Sequence, residues 1–238
     1  MKSDGRECEL VIFDCDGVLV DSEMLSARAY AELFADLGVP LPLGVMEGCF
    51  GLKQADIFAR IEAAVGRVIG PDDRAQLWPR TRALFASELK PTPGLVPFLQ
   101  RLRLAHCVVS SSHEERIRFS LEITGLHAYF DGAIFSSQLV ERGKPAPDIF
   151  LHAAEAMSAR PERCVVVEDS IPGVEGAVAA GMTAIGFLGG THLDPSHGER
   201  LTRAGATLVA GNWSDVERWL ASGGWRRRTN RGYNAANG

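Results

Sequence analysis

"LVIFDCDGVLVDSE", residues 10–23, decides how the chain is read. An apolar run from Leu10 to Phe13 stops abruptly at Asp14, and Asp16 and Gly17 follow. Four apolar residues ended by acids read as a short strand buried on both faces. In an extended chain, side chains two positions apart point the same way, so Asp14 and Asp16 face one small space. Carboxylates that close repel each other, and burial adds to the cost unless a cation, a proton or hydrogen bonds compensate. Asp-Gly turns also occur in calcium loops. Here Val18 stands where such a loop needs an oxygen ligand, and no Glu falls at the twelfth position.

From Ser22 the period changes. Tyr30, Leu33, Phe34 and Leu37 recur at helical spacing, and Gly38 and Pro40 supply the stop. Residues 22–89 read as helical throughout, "DIFARIEAAV" and "RAQLWPRTRALFASEL" being the clearest pieces, and "KPTPG" at 90–94 breaks the pattern. Strands and helices then alternate. "CVVS" (107–110), "AIFS" (133–136), "CVVVED" (164–169), "TAIGF" (183–187) and "ATLVA" (206–210) read as strands. Between them, Leu95 to Leu102, a segment ending at Gly125, Pro147 to Met157, and a segment through Val174 and Ala177 to Gly181 read as helices. A capping box of Ser112 and Glu115 is expected at one helix start and a Ser170 cap at another. Near-continuous apolar strands alternating with helices specify an α/β fold, a Rossmann-like, doubly wound parallel sheet. The expected organisation is a discontinuous core (1–21 and 90–220) with a small all-helical domain (22–89) inserted after the first strand. The tail, 221–238, rich in Gly, Arg and Asn, reads as disordered or vector-derived, with an anion-binding role for its arginines as the alternative.

The bulk numbers exclude several classes. The 238 residues are 46% hydrophobic and carry a formal net charge of -5, an ordinary globular balance that argues against nucleic acid as the main partner. No run of apolar residues is long enough for a spanning helix, and the N-terminus lacks the apolar core of a secretory signal. Five scattered cysteines without a CxxC pair indicate neither a disulfide framework nor a thiolate zinc site. The expectation is a cytoplasmic protein without a membrane partner, more consistent with a monomer than an oligomer.

In an open parallel sheet, ligands bind beyond the C-terminal strand ends. The residues found there are Asp14 and Asp16, then Ser110 to Ser112, Lys144 in "RGKPAPD", and Glu168 with Asp169. Singly, each has an ordinary explanation: a strand terminus, a solvated lysine, acids favouring a helix N-terminus. Together and in this order, "FDCDGVLVDSE", "VVSSS", "GKPAPDIF" and "VVVEDSIPGVEGAVAAGM" resemble the four motifs of the haloacid dehalogenase superfamily, in the phosphatase and mutase branch with a helical cap, over residues 8 to 220.

The resemblance implies a Mg²⁺-dependent phosphomonoester hydrolase of a small phosphorylated metabolite, a sugar or sugar-acid phosphate for preference. Asp14 would be the nucleophile that forms an aspartyl-phosphate. Asp16 would be the general acid and base, its proton affinity raised by its like-charged neighbour. Asp14, Asp169 and the backbone carbonyl of Asp16 would hold Mg²⁺, with Glu168 assisting directly or through water. Ser110 and Lys144 would cradle the phosphoryl oxygens, and Lys144 could pair with Asp14. Gly17 fits a tight turn out of the strand. An acid at position 16 favours phosphoryl over halide chemistry, because a halide leaves without a proton.

"CFGLKQ" (49–54) resembles the cap loop that sets specificity, making Lys53 a candidate to reach the substrate. Glu23 and the pair Arg80/Arg82 are further candidates, with solvated surface charges as the alternative. A β-phosphoglucomutase-like mutase would need a hinge His and a cap-loop Arg, where Ser26 and Gln54 stand. A phosphonate hydrolase would need a cap lysine, and Lys53 is the only one. A non-catalytic phosphometabolite-binding protein is the reading from a different class.

Overall fold

Alternate residues of the apolar strands enter two opposite layers of core. The computed structural model describes residues 7–42, 44–193 and 196–226. Strands β1 (Leu10–Phe13), β2 (His106–Ser110), β3 (Ile134–Ser136), β4 (Cys164–Glu168), β5 (Thr183–Phe187) and β6 (Leu208–Ala210) form one sheet in the order β3-β2-β1-β4-β5-β6. Every neighbouring pair is parallel. Val11 and Phe13 face one layer while Leu10 and Ile12 face the other, which is why the run carries no polar alternation.

Helices α1 (Glu23–Asp36), α2 (Gln54–Val65), α3 (Pro71–Ala75) and α4 (Leu77–Glu88) come between β1 and β2, and gather an apolar cluster of their own around Tyr30, Leu33, Phe34, Phe58 and Ile61. The two connections to this insertion run side by side: Asp21 N donates to Lys90 O at 3.0 Å and Thr92 N to Leu19 O at 3.0 Å. Helix α5 (Leu95–Arg101), α6 (Glu114–Ile123) and, later in the chain, α10 (Trp213–Ala221) cover the face holding Phe13. Helices α7 (Asp148–Ala156), α8 (Ile171–Ala179) and α9 (His197–Ala204) cover the other. All five cysteines are buried and free, and no helix of the described residues is long and apolar enough to cross a membrane.

Three local expectations differ from the structure. Helix α6 starts after His113, with no side-chain cap, because the Ser112 hydroxyl donates instead to Asp16 Oδ2 at 2.7 Å. The helical stretch expected over 74–89 is divided, α3 and α4 meeting at Gln76. The tail is structured as far as a short 3₁₀ turn at Gly224–Arg226, where Trp225 packs edge-on against Trp219 at 6.4 Å; an aromatic ring offered apolar surface orders a segment whose composition is otherwise polar. Residues 227–238 lie outside the described residues. The Ser170 cap is present, its Oγ accepting from Gly173 N at 3.1 Å.

Trp213 joins the α10 face to the sheet. Its ring stacks on Phe98 at 4.9 Å and lies 4.5 Å from Phe187, while its Nε1 donates to Thr92 Oγ1 at 2.9 Å, beside the return connection from the insertion. Trp213→Ala should lower stability by about 3–5 kcal/mol, the usual cost of deleting a buried aromatic side chain. Urea unfolding measures it, and a loss well under 1 kcal/mol would mean that this layer is not the main core.

Candidate active site

The strand order reverses at β1, between β2 and β4, so the crevice beyond these three strand ends is where this topology places a ligand. Asp14 N donates to Val167 O at 3.0 Å, which puts Asp14 next to the end of β4, where Glu168 and Asp169 follow. Ser110 ends β2 on the other side. Asp14, Asp16, Ser110, Ser111 and Ser112 line one chamber, roofed by Phe50, Gly51 and Leu52 of the insertion. At the end of β3, the Ser136 hydroxyl donates to Ser112 O at 2.7 Å and the Ser137 hydroxyl to Ser111 O at 2.9 Å, fixing the serine loop.

Lys144 reaches into this crevice from the β3–α7 connection. Its Nζ donates to Asp14 Oδ1 and to Glu168 Oε1, each at 2.5 Å, and 1% of its side chain is exposed. Burial works against the charged amine, but the two carboxylates outweigh it and hold Lys144 above the ordinary lysine range. Burial pushes Asp14 well up, Lys144 pulls it back, and Glu168, Asp169 and Asp16 push it up again. Glu168, expected to assist a metal, is held here by Lys144 and Ser170. Its Oε1 holds Lys144 and its Oε2 accepts from Ser170 N at 2.8 Å and Ser170 Oγ at 2.9 Å, so its place is that of an anchor for the lysine. A Cβ at Gly173 would stand 1.8 Å from Glu168 Oε1, so this anchor also requires glycine in the first turn of α8.

Asp16 is held differently from its expectation. Ser22 Oγ donates to its Oδ1 at 2.6 Å, Ser112 Oγ to its Oδ2 at 2.7 Å, and Arg116 Nη2 to its Oδ1 at 2.7 Å. Ser110 Oγ lies at the long distance of 3.4 Å. Burial raises its proton affinity, but the charge of Arg116 and the hydroxyl donors more than reverse this, so Asp16 lies below its usual range. The expected upward push from a like-charged neighbour loses to the guanidinium. Arg116 sits on α6 and reaches back across the site; nothing in "HEERIRF" distinguishes it from a solvated helix charge.

Asp169 shares the buried crevice, and burial followed by the nearby Glu168 drives its proton affinity up. Gly17, at φ +77°, leaves it room: a Cβ there would stand 1.8 Å from Asp169 Oδ2. His192, from the loop after β5, places Nε2 3.1 Å from the same oxygen, and both its ring nitrogens are buried without a well-formed hydrogen bond. With Asp16 paired to Arg116, three carboxylates, Asp14, Glu168 and Asp169, share the crevice with the single ammonium of Lys144. Among the described residues, no three His, Cys, Asp or Glu side chains are already closed around a metal position. The donor set nevertheless fits a hard divalent cation, which takes a few carboxylate or carbonyl oxygens and keeps its waters.

A family model for haloacid dehalogenase-like hydrolases matches residues 8–181. The chain belongs to this family. It is 33% identical over 189 residues to 6-phosphogluconate phosphatase of Escherichia coli, covering 79% of this chain and 86% of that one. It is 31% identical over 205 residues to a phosphorylated carbohydrates phosphatase of Thermotoga maritima, covering 84% and 93%. Among solved structures, a haloacid dehalogenase-like protein of Agrobacterium tumefaciens superposes with a TM-score of 0.78 at 36% identity, covering 91% of this chain and 99% of that one.

Two residues expected to read the substrate of this family member are placed unequally. Glu23 lines the chamber that holds Asp14 and Asp16. Lys53 lines neither this chamber nor the larger one beside it; its alkyl chain lies against Gly143. Arg80 pairs with Asp36 at 2.8 Å and Arg82 lies over the ring of Phe119, both away from the chamber. The sequence reading also missed Ser22 as a hydroxyl partner of Asp16.

Burial, then the charges of Asp16 and Asp169, raises Glu23 from 4.5 to about 8. The folded chain keeps this proton where the unfolded chain has lost it. Stability is therefore fully present below pH 4.5 and declines as pH rises toward about 8, by at most about 1.4 kcal/mol per pH unit. Without divalent cation, Glu23→Gln should flatten that slope and gain on the wild type toward pH 8. Parallel stability–pH curves for the two proteins would contradict the assignment.

Proposed function

We propose that the chain is a Mg²⁺-dependent phosphomonoester hydrolase acting on a small phosphorylated sugar or sugar acid through an aspartyl-phosphate on Asp14. The observation that carries this reading is the Asp14 carboxylate at the end of β1, held by Lys144 at 2.5 Å in a crevice that Ser110, Asp16 and Asp169 share. The named phosphatases to which the chain is similar support the sugar class.

Asp14 attacks phosphorus, and the ester oxygen leaves on the opposite side. Lys144 and the Ser110 hydroxyl hold phosphoryl oxygens as charge moves between them. In the arrangement seen here Asp16 accepts from Ser22, Ser112 and Arg116 and is a carboxylate, the form that takes a proton from the water of the second half-reaction. Donation to the leaving oxygen in the first half requires a substrate atom to displace one of those donors. Asp14, Asp169 and the Asp16 carbonyl would hold Mg²⁺, which when bound neutralises charge on the phosphoryl group and on the acids. The insertion, residues 22–89, acts as a cap whose Phe50–Leu52 stretch excludes water from the chamber.

Ser26 and Lys53 support hydrolysis over the mutase and phosphonate readings. Ser26 Oγ donates to Ser22 O and accepts from Arg116, both at 2.9 Å, and offers no base to shuttle a sugar proton. Lys53, the only lysine of the insertion, does not reach the chamber where a Schiff base would form.

Phosphate release from a panel of phosphorylated sugars, sugar acids, nucleotides and phosphonates, with and without Mg²⁺, tests this reading. Release should require Mg²⁺, fall to background in Asp14→Asn and slow by about 10²–10⁴-fold in Asp16→Asn. Isomerisation without release would favour a mutase. Tight binding with no turnover would sink the enzyme reading.

A further inference from the structure

Asp169 leaves the sheet one residue past the last paired position of β4, where Glu168 lies against Gly186. Its carboxyl accepts a hydrogen bond from its own main-chain N–H, so the side chain follows the backbone. The peptide unit between Asp169 and Ser170 is held at both ends. Ser170 N donates to Glu168 Oε2 at 2.8 Å, and Asp169 O lies 2.5 Å from Nε2 of His197, in the first turn of α9. Asp169 is buried, and a buried carbonyl left without a donor is costly.

The other ring nitrogen of His197 decides where the proton sits. Arg200, one turn further along α9, places Nη2 2.9 Å from His197 Nδ1, and its Nη1 donates to Ser196 Oγ at 2.7 Å. A guanidinium only donates, so Nδ1 is the acceptor, and Nε2 carries the hydrogen that Asp169 O receives. Neither His197 nor Arg200 lines the chamber that holds Asp14 and Asp16. Both face a separate cleft, which shares only Phe50 with that chamber. Their route to the site therefore runs through Asp169.

We propose that His197 and Arg200 are positioning residues for the divalent cation: together they fix the Asp169 main chain, and with it the carboxylate that meets the cation. This rests on the reading that Asp169 holds Mg²⁺. Gly17 and His192 confine the same carboxylate from the side, so it has little room to compensate for a main chain that shifts. The site thus extends to α9, outside the four strand-end motifs.

Calorimetric titration of the metal-free protein with Mg²⁺ tests this, with His197→Leu, His197→Gln and Arg200→Leu beside the wild type. His197→Leu should weaken Mg²⁺ binding by about 10–100-fold, the usual cost of losing a group that orients a metal ligand. The Mg²⁺ concentration giving half-maximal hydrolysis of p-nitrophenyl phosphate should rise by the same factor. His197→Gln, which can still donate to Asp169 O, should regain most of the affinity. Arg200→Leu should lose less than His197→Leu, because the ring proton is then no longer confined to Nε2. Metal-free melting temperatures separate positioning from a merely structural role. A folded His197→Leu protein that melts lower but binds Mg²⁺ as the wild type does would overturn the proposal. Should that variant not fold, Arg200→Leu decides, and wild-type affinity there would overturn it equally. A wild-type protein that binds no Mg²⁺ would overturn it too. One that binds Mg²⁺ with the expected losses in the variants, yet hydrolyses no phosphomonoester, would remove the hydrolase reading and leave this one standing.

Discussion

Lys144 stands between the carboxylates of Asp14 and Glu168, 2.5 Å from each, with almost no exposure to solvent. A buried ammonium is costly unless paired, and so is each buried carboxylate. One lysine compensates two acids on adjacent strands, β1 and β4, and so fixes the relative position of the residues at both strand ends. The anchoring is carried further by Ser170, which holds the second oxygen of Glu168 and caps α8 with the same hydroxyl. Asp14 is thereby fixed at the mouth of the crevice, and the rest of the site is arranged around it.

Asp16 depends on a second, separate pairing. Arg116 links it to Ser26 on α1 and packs on Phe85 of α4, both parts of the insertion. Phe50 of the insertion also meets the His192 ring at 4.8 Å, and His192 adjoins Asp169. The insertion is therefore joined to the core through residues that touch the acids. Any movement of its helices relative to the sheet acts directly on the environment of Asp16 and Asp169, and this gives a covering segment a physical means of sensing what lies beneath it.

The strands were legible in the sequence because the central ones, β1, β4 and β5, are buried at every residue and so read as unbroken apolar runs, and the half-buried edge strands β3 and β6 are still mostly apolar. The residues that end them were legible because a polar group at the end of a buried strand has few alternatives to a site. Helical spacing in the insertion placed Tyr30, Leu33 and Phe34 correctly in its own cluster. Arg116 and His192 were not legible, since each acts through a contact with a residue distant in the chain, and Ser22 was not because its contact with Asp16 spans a turn rather than a regular strand or helix spacing. Arg116 meets Asp16 across 100 positions, and its local sequence is that of an exposed helix. The same blindness explains Ser112, whose pattern suggested a helix cap until Asp16 competed for its hydroxyl, and the direction of the Asp16 shift, which a reading of neighbouring acids alone gets backwards.

The central claim is that Asp14, held by Lys144, forms a bond to phosphorus. The most direct test is an acid quench of the wild-type protein within one turnover of a radiolabelled phosphomonoester, followed by peptide mapping. The account predicts label on the peptide containing Asp14, stable in acid and released by alkali or hydroxylamine as an acyl phosphate is. Label on Ser110 or Ser112, or turnover with no labelled protein at any quench time, would contradict it.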